Sequence, residues 1–376
     1  MTKNTAINHF MLYRDLVDQL GEAFEKRARA YDEQALFVDQ NYKELKKYRF
    51  FSLLVPRELG GPGLTFGEVS FLLRKLAGYC PSTALALSMH QHLVAANVWK
   101  YRQGKGGEEV LRRVGEDQLI LVSTGAKDWL DSNGKLETVA GGYLMSGSKY
   151  FASQSAVGDL LVTSAPYEDE QEGPQVFHFA IPFASEGLSL LDDWDTLGMR
   201  GTGSQTVKLD KVFIPEAAIR LRRKQGEFHP VWNVVLGVAM PLIMSVYAGI
   251  AEKAFSISLD LVKNSPRSKA YTASSIGEMS NQLSLIQLSL EDMLRINNNF
   301  DFEPDDEIAH KILSRKTLLA ESAIELLRQS MEVCGGLAYR KSLGLERLFR
   351  DVQAARYHPL SKRDQYAFSG SYLLRK

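Results

Sequence analysis

From the start of the chain to about Gly115, apolar residues recur at helical spacing, as in "FLLRKLAGYC" and "ALALSMHQHLVAANVWKY", broken by the loop "PRELGGPGL" at Pro56 to Leu64. This pattern predicts an N-terminal helical domain over residues 1–117. From Gln118 the texture changes to short alternating runs punctuated by Gly and Asx, namely "KLETVAGGYLMSGSKYFAS", "DLLVTSAPY", "QVFHFAIPF" and "QTVKLDKVFIP". Gly141 and Gly142 between two such runs predict a hairpin, and the acidic "EDEQEG" at Glu168 to Gly173 a solvated hairpin tip. Residues 118–226 therefore read as a β-rich middle domain.

After "RLRRKQGEFHP", read as a polar linker that includes His229, the helical period returns. Met240, Ile243, Met244, Tyr247, Ile250, Ala251 and Ala254 form one apolar stripe, and Ile276, Met279, Leu283, Ile286, Leu290 and Met293 another. A third helix from about Asp306 carries Ile308, Ile312, Leu319, Ala323 and Leu326 and ends at "CGG", Cys334 to Gly336, where glycine can cap it. Long antiparallel helices with short connections predict a four-helix-type bundle over 227–376.

A chain of 376 residues fits two or three lobes around a sizeable core. Forty-five basic against forty-five acidic residues argue against a general electrostatic footprint for nucleic acid or an anionic membrane. Cys80 and Cys334 lie far apart in apolar surroundings and read as buried free thiols, which fits a reducing cytoplasm. The opening "MTKNTAINHFMLYRDLVDQL" lacks the apolar core and cleavage site of a signal peptide, and no run of about 18 uninterrupted apolar residues suggests a membrane span. His90 and His92 in "SMHQHL" do not share a helix face at a spacing of two, so no metal site is expected there.

The order helical lobe, β lobe, helical bundle resembles the acyl-CoA dehydrogenase superfamily over essentially the whole chain. Four passages carry the resemblance: "LLVPRELGGPGLTFGEVSFLLRKLAGYCPSTALAL", "DTLGMRGTGSQTVKLDKVFIP", "MSVYAGIAEKAF" and "MEVCGGLAYRKSLGLERLFRDV". It implies an α+β chain with a middle β-barrel-like domain, bound FAD, and a homo-oligomer, dimer or tetramer, that pairs its bundles. "VSTG" matches the strand end that presents hydroxyls to the flavin ring, which would make Ser123 or Thr124 a hydrogen-bond donor. "SKYFASQS" matches the strand that packs on the flavin, which puts Phe151 and Ser153 in those roles; an ordinary strand with a buried aromatic is the alternative. Gly335 and Gly336 match the turn that lets a neighbouring subunit's backbone approach the cofactor, with a plain helix cap as the alternative or as a second use. In "VKNSPRSKA", Arg267, flanked by Lys263 and Lys269, is the candidate for gripping the pyrophosphate, with a solvated loop charge as the alternative.

One departure from the pattern concerns the catalytic base. Dehydrogenation of an acyl thioester needs a base facing the flavin, which the family supplies as a glutamate. From Val352 to Lys376 there is no glutamate, and Asp364 is the only carboxylate side chain; the alternative position on the first bundle helix holds Val238, Ala239 and Met240. His358 stands near where the base is expected and is the candidate for the remaining chemistry, able to exchange a proton near neutrality, with a packing or hydrogen-bonding loop histidine as the alternative. His90 and His92 are further candidates, as substrate-pocket residues. The loop "AKDWLDSNG" also replaces the family's Glu-Pro and glycine-rich turn.

Two functions follow from the resemblance. The first is FAD-dependent α,β-dehydrogenation of an acyl thioester or related small molecule, possible CoA thioesters included, with a non-standard base and an electron-transfer partner. The alternative is a two-component monooxygenase that takes reduced FMN or FAD from a reductase partner and reacts it with oxygen. A third, non-enzymatic reading keeps the fold as a binding or assembly module.

Overall fold

The computed structural model describes residues 9–125, 131–264 and 269–375. The first lobe holds α1 (His9–Gln34), α2 (Asp39–Lys47), α3 (Phe66–Tyr79), α4 (Pro81–Arg102) and α5 (Glu108–Asp117). Local chemistry sets these boundaries. The Thr65 hydroxyl accepts from Glu68 N at 3.2 Å while the Glu68 carboxylate accepts from Thr65 N at 2.7 Å, a reciprocal cap that starts α3. Pro81 then opens α4 at a position where no backbone donor is lost.

The middle lobe is two four-stranded sheets. One has the order β1 (Leu121–Ser123), β4 (Leu160–Asp169), β5 (Gly173–Pro182), β8 (Leu221–Lys224); the other β2 (Lys135–Val139), β3 (Gly142–Lys149), β7 (Val207–Pro215), β6 (Leu188–Leu190). The β1–β4 pair is parallel and the remaining pairs are antiparallel. Side chains from both sheets, Phe177, Phe179 and Ile181 with Met145, Val207 and Val212, share one core. The hairpin turns at Gly141, whose φ of 78° suits glycine, and the acidic tip joins β4 to β5. The expected polar linker differs: Leu221–Lys224 forms β8 on β5, and Arg223 is buried. Hydropathy hides this strand because Arg223 places its guanidinium 5.0 Å over the Trp232 ring instead of in water.

The third lobe contains α6 (Val231–Lys263), α7 (Lys269–Asn297), α8 (Asp306–Cys334), α9 (Leu345–Val352) and α10 (Lys362–Arg375). The imidazole of His229 accepts from Val231 N at 3.2 Å at the start of α6. By length and composition α6 could cross a membrane, contrary to the reading from uninterrupted runs, yet its apolar window is 94% buried within the protein. It is the central core helix, packed on α3, α4, α7 and α8. Cys80 and Cys334 are free and buried.

The "LGMRGTGS" segment and the "RD" dipeptide join the lobes. Arg350 forks onto the Asp32 carboxylate of α1 at 2.9 and 2.6 Å and donates to Leu197 O at 3.1 Å. Asp351, buried, accepts from Met199 N at 2.5 Å. A side chain at Gly198 would collide with the backbone of Arg350 and Asp351, so glycine is what permits this contact.

Candidate active site

A cavity of about 500 Å3 opens where α4, the β1–β4–β5 sheet and the start of α6 meet. Its walls are mainly apolar, with Leu93, Ala96, Leu121, Val162, Trp232 and Val234 among them, and its polar atoms are few. Ser123 and Thr124 line it from the end of β1, and His92 from α4. Thr124 shares a 3.3 Å hydrogen bond with Thr163. Ser123 Oγ is buried and has no hydrogen-bond partner among the described residues. A buried hydroxyl left unpaired costs roughly 1–3 kcal/mol, so this atom is suited to a bound ligand.

His178 also lines the cavity, and its tautomer is fixed. Arg223 Nε, which can only donate, stands 3.0 Å from His178 Nε2, so that nitrogen accepts and Nδ1 carries the hydrogen. Burial, together with the positive charge of Arg223, pushes the His178 pKa down to about 3.

A second polar group lies nearby in the bundle. Tyr247 OH is 2.7 Å from His358 Nε2, and the two rings are 5.5 Å apart. Burial raises the Tyr247 pKa well above the ordinary phenol value, so the hydroxyl keeps its hydrogen. His358 is the only hydrogen-bond partner of that hydroxyl among the described residues; pairing the phenol hydrogen puts the acceptor at Nε2, the tautomer that carries its hydrogen at Nδ1. Enclosure of the ring, with Lys316 and His92 close by, pushes the His358 pKa down to about 3. Lys316, buried on α8, donates to Leu360 O at 2.9 Å, and burial lowers its pKa to about 8. His92 connects the two groups, because it lines the cavity and is also felt electrostatically by His358.

The other expected residues divide. His90 does not reach the cavity wall: one ring nitrogen is 2.8 Å from Phe51 O and the other accepts from Leu121 N at 3.0 Å. Helix α4 is buried on several faces, so histidines two residues apart both face protein, and only His92 faces the cavity. Ser153 is buried and shares a 2.8 Å hydrogen bond with Ser204, which in turn bonds Thr202 at 2.7 Å. Phe151 is 62% exposed, not the buried strand aromatic of the alternative reading, and has a left-handed φ of 58° with Trp194 edge-on at 6.1 Å. Gly335 and Gly336 have open space where a side chain would begin, and Gly335 has φ 57°, ψ −142°, which favours glycine. Arg267 lies outside the described residues.

Sequence reading missed Tyr247 as a partner, and Lys316 altogether. The signal for Lys316 was present: it stands four residues after Ile312 and three before Leu319 on the apolar stripe of α8. A cation at a core position asks for a reason.

The sequence and the architecture match known proteins. The acyl-CoA dehydrogenase N-terminal domain model matches residues 9–114 and the acyl-CoA dehydrogenase C-terminal domain model residues 234–362. The amino sugar nitrososynthase DnmZ of Streptomyces peucetius is 23% identical over 364 residues, covering 93% of this chain and 90% of that protein. The dibenzothiophene monooxygenase of Mycolicibacterium goodii is 24% identical over 371 residues, covering 88% and 86%. The structure of KijD3 with FMN and dTDP-3-amino-2,3,6-trideoxy-4-keto-3-methyl-D-glucose superposes with a TM-score of 0.88 at 24% identity, covering 99% of this chain and 95% of that one. The chain belongs to the acyl-CoA dehydrogenase superfamily of flavin-dependent oxidoreductases.

Proposed function

We propose that this protein is a two-component flavin-dependent monooxygenase, which receives reduced FMN or FAD from a separate reductase and oxygenates a small organic molecule. The observation that carries this reading is a site built on neutral histidine in which every carboxylate among the described residues nearby is already bonded. Asp351 is buried and committed to Met199 N, Asp364 is bonded to Ser361, and Glu109 at the cavity rim pairs with Arg220. Among the described residues no free carboxylate stands ready to remove an α-proton from an acyl thioester, whereas oxygenation does not need one. The names of the nitrososynthase and dibenzothiophene monooxygenase relatives, and the FMN of KijD3, support the same reading.

The unpaired Ser123 hydroxyl, with Thr124 and Ser153, fits the hydrogen-bonding atoms of a flavin ring, and exposed Phe151 offers it an aromatic contact. When bound, reduced flavin supplies the electron pair that lets one atom of O2 enter the substrate while the other leaves as water. His358 keeps a proton at Nδ1, held there because Tyr247 occupies Nε2, and acts as a neutral donor. His92 contributes to the cavity wall. The apolar walls limit water around the reacting groups. Open space at Gly335 and Gly336, with Leu337 and Tyr339 exposed beside them, supports the reading that a second copy meets this turn, and Arg267 is proposed for the phosphate end of the cofactor.

Anaerobic addition of short- and medium-chain acyl-CoA thioesters to flavin-loaded protein tests this. No bleaching of the flavin is expected; bleaching by any thioester would return the chain to dehydrogenase chemistry.

A further inference from the structure

The rim of the cavity carries charge that its apolar walls do not explain. Lys100, Arg113 and Arg220 line it, against a single described carboxylate, Glu109. Arg220 and Glu109 pair with each other at 3.6 Å. Lys100 and Arg113 have no ion pair among the described residues. Lys100 is half-buried, and burial lowers its pKa. Its charge is felt by His178, which faces the same cavity as a neutral ring with Nδ1–H as its free hydrogen.

The charged groups on this wall that lack an ion pair among the described residues are both cations, Lys100 and Arg113, and the neutral His178 ring stands beside them. A half-buried ammonium beside apolar surface is costly unless an anion joins it. Trp232 and the aliphatic walls beside it supply apolar contact for an organic body.

We infer that the substrate is an organic anion, an apolar body bearing one carboxylate, sulfonate or phosphate group that Lys100 and Arg113 bind at the cavity rim. The inference rests on the cavity being the substrate site of the proposed oxygenase. Anion binding at Lys100 fixes one end of the molecule and leaves its apolar end toward Ser123, Thr124 and His92. Lys100 and Arg113 are thus specificity-determining residues.

A pair of fluorescent probes that differ only in charge tests this without flavin or oxygen: 8-anilinonaphthalene-1-sulfonate and the uncharged N-phenyl-1-naphthylamine. The wild-type protein is expected to bind the sulfonate about tenfold more tightly than the neutral probe, a preference that falls as salt is raised. Lys100→Met should remove most of that preference and leave the neutral probe's affinity within about twofold; Arg113→Gln, an exposed change that spares the fold, should weaken the sulfonate by roughly twofold to fivefold. Equal affinities for the two probes in the wild type, or a preference unchanged in both variants, would overturn the inference. So would sulfonate binding that survives Ala96→Trp, which fills the cavity, because the probe would then sit elsewhere. Failure to bind reduced flavin would instead defeat the oxygenase reading and leave the charge preference of the cavity standing.

Discussion

The Tyr247 hydroxyl and Nε2 of His358 share a 2.7 Å hydrogen bond, joining the central bundle helix to the segment before α10. Because the phenol holds Nε2, His358 offers its other nitrogen as a donor. His358→Ala should lower turnover by about 10²–10⁴, the usual worth of a positioned acid or base, with folding and flavin affinity close to wild type. Tyr247→Phe should cost less, about tenfold, because the ring stays but its tautomer is no longer fixed. Steady-state rates measured beside flavin dissociation constants check both, and full turnover in His358→Ala would remove that residue from the mechanism.

Lys316 places a buried positive charge near His358 and holds Leu360 O at 2.9 Å. Lys316→Met should raise the His358 pKa from about 3 toward its ordinary value of 6.5, since one of the causes that lowers it is gone. Histidine NMR titration reads this directly. A His358 signal that titrates at the same pH in both proteins would rule out the electrostatic coupling.

Ser123→Ala should separate stability from binding. Its hydroxyl is buried and unpaired, so removing it should leave the flavin-free protein as stable or slightly more stable, by up to about 1 kcal/mol. The same change should weaken flavin binding by roughly twofold to tenfold. Thermal melting and flavin titration of the variant give the two numbers, and unchanged flavin affinity would take Ser123 out of the cofactor site.

Neutral histidines, His90 and His92 buried and His178 and His358 partly buried, should make the fold acid-sensitive. The pKa of His90 and His92 is lowered to about 4, and that of His178 and His358 to about 3, in each case first by burial. Once unfolded, these groups take up protons near pH 6.5 that the native state refuses. The stability they contribute is complete above 6.5 and is lost as pH falls toward 4, by about 1.4 kcal/mol per pH unit for each proton. Asp351 works the other way: its carboxyl, raised by burial to about 6 from 3.8, is protonated in the native state over that interval and offsets one of the four. Melting temperature should therefore fall steeply between pH 6.5 and 4; a flat profile there would contradict the assigned neutral histidines.

Much of the architecture was legible because periodicity reports burial. The alternation in "KLETVAGGYLM" and the stripe from Met240 to Ala254 each correspond to one buried face or helix. The strand Leu221–Lys224 was not legible, since its buried member is Arg223, whose charge is satisfied by His178 and Trp232 from distant parts of the chain. The position of His358 could be read from its distance to "RD", but its partner could not: Tyr247 looks like any other core residue on an apolar stripe. The "RD" dipeptide itself serves as an interlobe clamp, through Asp32 and Met199, which no local pattern announces. His90 and His92 look equivalent in sequence, and only the packing of α4 separates a backbone bridge from a cavity residue.

The most direct test of the oxygenase reading is an anaerobic comparison of the affinities for reduced and oxidised FMN and FAD. The account predicts that reduced flavin binds at least tenfold more tightly than oxidised flavin, and that the protein is nearly colourless as purified. Oxidised FAD that stays bound near one per chain through purification, with no preference for the reduced form, would contradict it.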